Sequence, residues 1–156
     1  VKLITFKEIQ SWNPCYCPSK YLQENWKGTA LDILKMKEVP FRDRLWVVLR
    51  EELLSDKLMR LFAVWCARQV QHLMKDERSI AALDVAERYA IGKAREEELR
   101  PARAAARAAA GAAAGAAAWA AARAAARDAA RDAAWAAQEE KLIEMIVAGI
   151  ETGDTK

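Results

Sequence analysis

Apolar positions recur at helical spacing through the first half of the chain. Phe41, Leu45, Val48, Leu49 and Glu52 fall on one side of a helix spanning Phe41 to Leu54. Leu58, Leu61, Phe62, Trp65, Gln69 and Leu73 do the same from Ser55 to about Met74. Residues three and four apart share a helix face, so each run predicts a helix with a core-facing stripe and a charged edge. The second is the candidate for a central buried helix, with Ser55 as its N-cap. A further helix is expected from Ser79 through Ile80, Leu83, Ala86, Ala90 and Ile91, closed by Gly92 as its C-terminal cap.

Upstream, the signals are caps and breaks. Thr5-Phe6-Lys7-Glu8 has the form of a capping box, in which the threonine hydroxyl and the glutamate carboxylate satisfy free backbone donors, so a short helix to about Trp12 follows. Asn13-Pro14 and Cys17-Pro18 punctuate a loop, since a residue before proline is pushed out of the helical region. Thr29 caps a short helix carrying Leu31, Leu34 and Val39, which Pro40 ends; Pro40 can also open the next helix at its first position. Tyr16, Tyr21 and the tryptophans Trp12 and Trp26 crowd this region, and Trp12, Trp26, Trp46 and Trp65 are all expected in the core.

The second half follows a different pattern. Arg103, Arg107, Gly111, Gly115, Trp119, Arg123, Arg127, Arg131, Trp135 and Glu139 stand every fourth position, separated almost wholly by alanine. Alanine is the best helix former, and a glycine costs only about 1 kcal/mol, so one helix is predicted from 102 to about 148. Its straight length would be roughly 70 Å, which makes a kink or break at the glycines a real alternative. Pro101 means that the helix either begins near that residue or kinks there. A step of four overshoots a full turn by about 40°, so the large side chains wind around the axis instead of forming one face. Gly111, Gly115 and Trp119 suit close packing on a neighbour, within the chain or in a second copy.

These elements describe an all-α fold, a compact helical bundle with a long alanine-rich C-terminal helix. The 156 residues make one helical domain, with N-terminal helices and the aromatic loop over 1–92 and the alanine-rich region over 93–150 packed on them. Apolar residues reach 53%, but alanine supplies much of that, so the large core formers lie before 92 and after 141. A net charge of +3, nearly balanced along the chain, does not by itself argue for nucleic acid. The interval between Arg107 and Arg123 is too short and too alanine-rich for a membrane span. Three cysteines, an odd number, behind a polar, mixed start with no signal-peptide pattern, suggest the cytoplasm.

Candidate chemistry is sparse. Cys15, Cys17, Cys66 and His72 are a donor set that structural zinc accepts, but the Cys-x-Cys spacing is poor for it, and no metal or other cofactor is expected. Cys66 and His72 lack a third orienting group for nucleophilic catalysis. No phosphate-cradling loop or hydrolase motif occurs. Asp128 and Asp132 alternate with Arg127 and Arg131, which permits helix-surface ion pairs and opposes a nucleic-acid backbone. Trp119 and Trp135 either fill grooves in the same chain or anchor a partner.

Asp43-Arg44-Leu45-Trp46-Val47-Val48-Leu49-Arg50-Glu51-Glu52-Leu53, Leu61-Phe62-Ala63-Val64-Trp65-Cys66-Ala67-Arg68 and Ala86-Glu87-Arg88-Tyr89-Ala90 are followed by alanines broken by Arg and Trp. With Trp12-Asn13-Pro14-Cys15-Tyr16 and Gly28-Thr29-Ala30-Leu31-Asp32-Ile33-Leu34, they make most of the chain similar to a family of immunity proteins from bacteria and phages or prophages. Arg95, where a capping threonine would suit, and Pro101 depart from the family's pattern and put the start of the long helix in question. The resemblance implies a non-enzymatic inhibitor that binds a protein partner, a toxin or defence component, and blocks it sterically; no catalytic residue carries over. The expected contact residues are Trp119, Arg123, Arg127, Arg131 and Trp135. The alternative is a nucleic-acid-binding protein using the arginine stripe.

Overall fold

The computed structural model describes residues 1–105 and 127–155, and of these the side chains outside 127–132. It shows an all-α protein with a long C-terminal helix. Two short strands, β1 (Ile4–Thr5) and β2 (Lys27–Gly28), pair antiparallel with Ile4 opposite Gly28. The helices are α1 (Phe6–Ser11), α2 (Ala30–Lys35), α3 (Phe41–Val48), α4 (Asp56–Gln69), α5 (Glu77–Ala90), α6 (residues 96–105) and α7 (Arg127–Thr152). The chain divides into two units, residues 1–58 with 139–156, and residues 59–138, so the division falls inside α4 and α7.

In the first unit, local capping chemistry sets the helix starts. Thr5 Oγ1 accepts from the Glu8 backbone N–H at 3.2 Å while Glu8 Oε2 accepts from the Thr5 N–H at 2.8 Å. The same box recurs at α2, where Thr29 and Asp32 exchange bonds of 2.7 and 3.2 Å. Ser55 caps α4, its hydroxyl accepting from the Leu58 N–H at 3.2 Å.

The fully buried side chains come from both ends of the sequence: Ile4, Ile9, Leu34, Val47, Val48 and Leu54 from the N-terminal part, Leu142 and Ile146 from α7. On α7, Glu139, Leu142, Ile146 and Gly149 are buried at alternating spacings of three and four, the repeat that keeps one stripe inward. The chain end is tied down by Ser55 N–H to Asp154 O (3.2 Å) and by Lys57 to the Asp154 carboxylate (2.7 Å).

Several boundaries differ from the sequence expectation. α2 stops at Lys35, before Pro40 can limit it, and Ile33 joins Leu34 in the core where Leu31 was expected. Pro40 is the N-cap residue of α3, not its first helical residue. α3 stops at Val48, although no glycine or proline stands between Leu49 and Leu54; the Arg50 N–H instead bonds Val48 O, and Leu53 and Leu54 N–H both bond Arg50 O. Its buried stripe is Arg44, Val47 and Val48, rotated from the face predicted.

In the second unit, α4 ends at Gln69 and gives way to a 3-10 turn, Gln71–Leu73. α4 is not buried along its whole stripe: Phe62 and Val64 are buried, Leu61 and Trp65 half-buried, and Leu73 is exposed beyond its end. α5 starts earlier than Ser79, because Asp76 caps it by accepting from the Arg78 N–H at 2.9 Å. Gly92 closes α5 at φ +75°, with the Lys93 N–H reaching back to Arg88 O at 2.7 Å. α6 begins upstream of Pro101 and continues through it; the Glu98 carboxylate accepts from the Arg95 N–H at 3.1 Å, supplying half of a capping box. Arg68 links α4 to α5 through Asp84 (2.6 Å) and Glu87 (2.8 Å). The expected packing strip at Gly111, Gly115 and Trp119 lies outside the described residues.

Candidate protein-binding surface

The most distinctive side-chain cluster of the first unit gathers where α1 and α3 end. Trp12 follows the last residue of α1, and Asn13, at φ +51°, turns the chain sharply so that Pro14, Cys15 and Tyr16 lead away from the helix. Asparagine tolerates this left-handed conformation better than most residues. Tyr16 meets Trp46 edge-on, with ring centroids 6.2 Å apart and planes at 89°. The turn that replaces the last part of the expected α3 presents Arg50, whose guanidinium lies 3.9 Å from the centroid of Trp46 and 5.3 Å from that of Trp12.

A guanidinium over an indole face is held by the ring quadrupole and by stacking of two flat groups. The arrangement therefore fixes Arg50 without burying its charge. Beside it opens a cleft of about 480 Å³, floored by Leu45, Trp46 and Leu49 and edged by Cys15, Arg42 and Asp43. Burial, followed by the negative charge of Asp43, pushes the Tyr16 phenol up to about 12.

The sequence pattern places Trp12, Trp26, Trp46 and Trp65 in the core. All four are only half-buried. Trp12 and Trp46 both lie under the Arg50 guanidinium instead of being enclosed by apolar neighbours alone. The clustering of Trp12-Asn13-Pro14-Cys15-Tyr16 was visible in the sequence; its convergence with Arg50 depended on the unpredicted turn after Val48.

Of the expected contact residues, Trp119 and Arg123 lie outside the described residues. Arg127 and Arg131 stand on α7, but their side chains are not among those described. Trp135 is 36% exposed and already has a partner within the molecule. From the arginine stripe, Arg103 is exposed on α6.

The remaining candidates do not assemble. Among the described residues, no group of three or more His, Cys, Asp or Glu side chains is placed to hold a metal ion. Cys15, Cys17 and Cys66 are free thiols. Burial pushes the Cys66 thiol up, opposite to the direction that would activate a nucleophile, and His72 is exposed on the 3-10 turn. Among the described residues no helix is long and apolar enough to cross a membrane. No family model, curated protein or solved structure matches the chain.

Proposed function

We propose that this chain is a non-enzymatic binding protein of the immunity or inhibitor kind, which covers a surface of a protein partner and so blocks it. The observation that carries the reading is the Trp12–Arg50–Trp46 cluster with Tyr16 against it, open along a cleft of about 480 Å³. Tryptophan, tyrosine and arginine are the residues that dominate binding energy at protein interfaces. Here they are half-exposed and held in place beforehand, which reduces the entropy lost on association. The resemblance read from the sequence implies the same use. On this reading the natural partner is a toxin or defence component, met in the cytoplasm, and Trp135 with the arginines of α7 forms a further contact region.

The test is affinity purification of the tagged chain from its source cells, followed by assay of the captured protein with and without it. A stoichiometric partner that loses its activity in the complex, and that Trp46→Ala and Arg50→Ala fail to retain, is the expected result. Absence of a stoichiometric protein partner, or capture undiminished by both variants, would overturn the proposal. Gel shifts at low salt address the arginine stripe separately, since phosphate-driven binding weakens steeply as salt is added.

A further inference from the structure

The first unit carries two thiols whose chemistry the proposed partner surface does not use. Cys15 and Cys17 stand between Pro14 and Pro18, which lack the N–H that a helix or a strand ladder would take up. Exposure alternates along this loop: Pro14 and Tyr16 are half-buried and Pro18 is buried, whereas Cys15 and Cys17 are exposed. The inward residues hold the loop against the fold. Both thiols come out on its other side, where they line one shallow depression of about 430 Å³ together with Gln10 and Asn13.

The spacing of the pair suits a bond between them. Two fully extended steps of chain span at most about 7 Å, and a disulfide joins Cα atoms usually about 4.4–6.8 Å apart. The chain bends at Cys15 and Tyr16 instead of extending, which brings the pair inside that range. Closing the bond therefore calls for rotation of two exposed side chains and adjustment of the loop between the prolines. Ser19 Oγ lies 3.1 Å from Cys17 Sγ, placed to donate to that sulfur once its proton is gone. Cys66, the third thiol, is half-buried on α4.

We infer that Cys15 and Cys17 are a reversible disulfide site, oxidised by a low-molecular-weight disulfide such as glutathione disulfide. One cysteine thiolate attacks a sulfur of the glutathione disulfide, whose S–S bond breaks and releases one glutathione. The second cysteine thiolate then attacks the protein sulfur of the mixed disulfide and expels the other glutathione. The two protein thiols are oxidised to one disulfide, the small disulfide is reduced to two thiols, and the two cysteine protons end on them. Tyr16 is the residue enclosed by the new ring, and it is also the residue that meets Trp46 edge-on at 6.2 Å. Ring closure thus changes the backbone of Tyr16 and, through it, the surroundings of the Trp46 indole. The inference does not rest on the proposed function, since it is tested on the chain alone.

The experiment is incubation of the reduced full chain with glutathione disulfide, followed by acid quenching, alkylation of remaining thiols and tryptic mapping. Both cysteines fall in the tryptic peptide 8–20 and Cys66 in the peptide 61–68, so the products separate by mass. Peptide 8–20 should be recovered two hydrogens lighter than its reduced form and free of glutathione, with Cys66 still alkylated. Its glutathione adduct should be at least about tenfold less abundant than in Cys15→Ser or Cys17→Ser, because in the parent a neighbouring thiol displaces the glutathione at a high effective concentration. The indole N–H resonance of Trp46 should shift on oxidation and return with dithiothreitol, while that of Trp65 in the second unit stays in place. Glutathione retained on Cys15 or Cys17 to the extent seen in the single-cysteine variants overturns the inference. So does a bond from peptide 8–20 to peptide 61–68 or to a second copy of the chain as the main product, and so does a Trp46 resonance that full oxidation leaves unmoved.

Discussion

Arg44 Nη1 lies 2.9 Å from Glu139 Oε1, and both residues are almost wholly buried. Arg44 also donates from Nε to Val39 O at 2.9 Å and from Nη1 to Leu34 O, while Lys37 bonds the same Glu139 oxygen. The guanidinium thus fills the role of a C-terminal cap for α2, whose last carbonyls have no helical partners, and fixes the α7 stripe against α3. Burial pulls the Arg44 pKa down from its ordinary value, but an arginine remains charged at any working pH. Removing one member of a buried pair strands the other, at about 3–5 kcal/mol. We expect Glu139→Leu to destabilise by about that amount, and Arg44→Met by less on this account, because Lys37 still meets the Glu139 carboxylate. The double variant should cost less than the sum, although not zero, because the carbonyls of Leu34 and Val39 lose their donor. Urea unfolding of the four proteins measures the coupling, and strict additivity would contradict it.

This pair also marks where the sequence was legible and where it was not. Thr5, Thr29, Ser55 and Gly92 were read correctly because capping depends on residues a few positions apart. The buried face of α3 was misplaced because it includes Arg44, whose burial is tolerated only through Leu34, Val39 and the distant Glu139. No hydrophobic pattern contains that information. In the sequence Glu139 stands only as the last member of the four-residue row; the stripe it shares with Leu142 and Ile146 begins where the alanine repeat ends. The Trp12–Arg50–Trp46 cluster is hidden from the sequence for a similar reason, since Arg50 reaches Trp12 and Trp46 only because α3 stops without any local breaker.

Acid should weaken the start of α5 in a defined window. The Asp76 carboxyl, hydrogen-bonded by the side chain and backbone of Arg78, is held down to about 2 from 3.8. A depressed folded pKa means the unfolded chain takes up the proton first. Its contribution is therefore complete above about pH 4 and is lost as the pH falls through 2. Asp76→Asn keeps an oxygen for the Arg78 N–H but has no charge to lose. Thermal melts between pH 5 and pH 2 should show the advantage of the parent protein over this variant shrinking with acidification. A constant difference would show that the carboxylate charge plays no part.

Tyr16 gives the opposite sign. With its phenol pushed up to about 12 from 10.0, the fold favours the protonated form. That contribution is present below pH 10 and disappears as the pH rises through about 12. In a spectrophotometric titration at the phenolate band, one step near pH 12 should be present in the parent and missing in Tyr16→Phe. Loss of a step near 10 instead would place Tyr16 in water.

Gly28 serves a close approach instead of a special backbone angle. A Cβ there would lie 2.7 Å from Trp26 Cζ2 and 3.1 Å from Asp32 Cβ, so the indole rests directly on the β2 backbone beside the α2 capping box. Gly28→Ala must displace the ring or the strand, and overpacking of this kind costs about 1–3 kcal/mol. Lower stability should be accompanied by a change in tryptophan emission. Unaltered stability would mean that Trp26 moves aside freely.

The proposed partner surface can be probed without disturbing the turn that builds it. The Arg50 main chain holds the turn through its bonds to Val48, Leu53 and Leu54, so side-chain substitutions leave those bonds in place. Arg50→Lys retains the charge but loses the flat group that stacks on Trp46. If stacking and a fixed fork matter, Arg50→Lys should weaken the complex nearly as much as Arg50→Ala, and Trp46→Ala should cost about 2 kcal/mol or more in binding. Leu73→Ala, on the exposed 3-10 turn of the second unit, serves as the control and should bind unchanged. Dissociation rates measured by surface plasmon resonance, with unfolding midpoints for every variant, separate binding from folding. Full rescue by lysine would mean that Arg50 acts only as a charge, and a matching loss in Leu73→Ala would mean that the contact lies elsewhere.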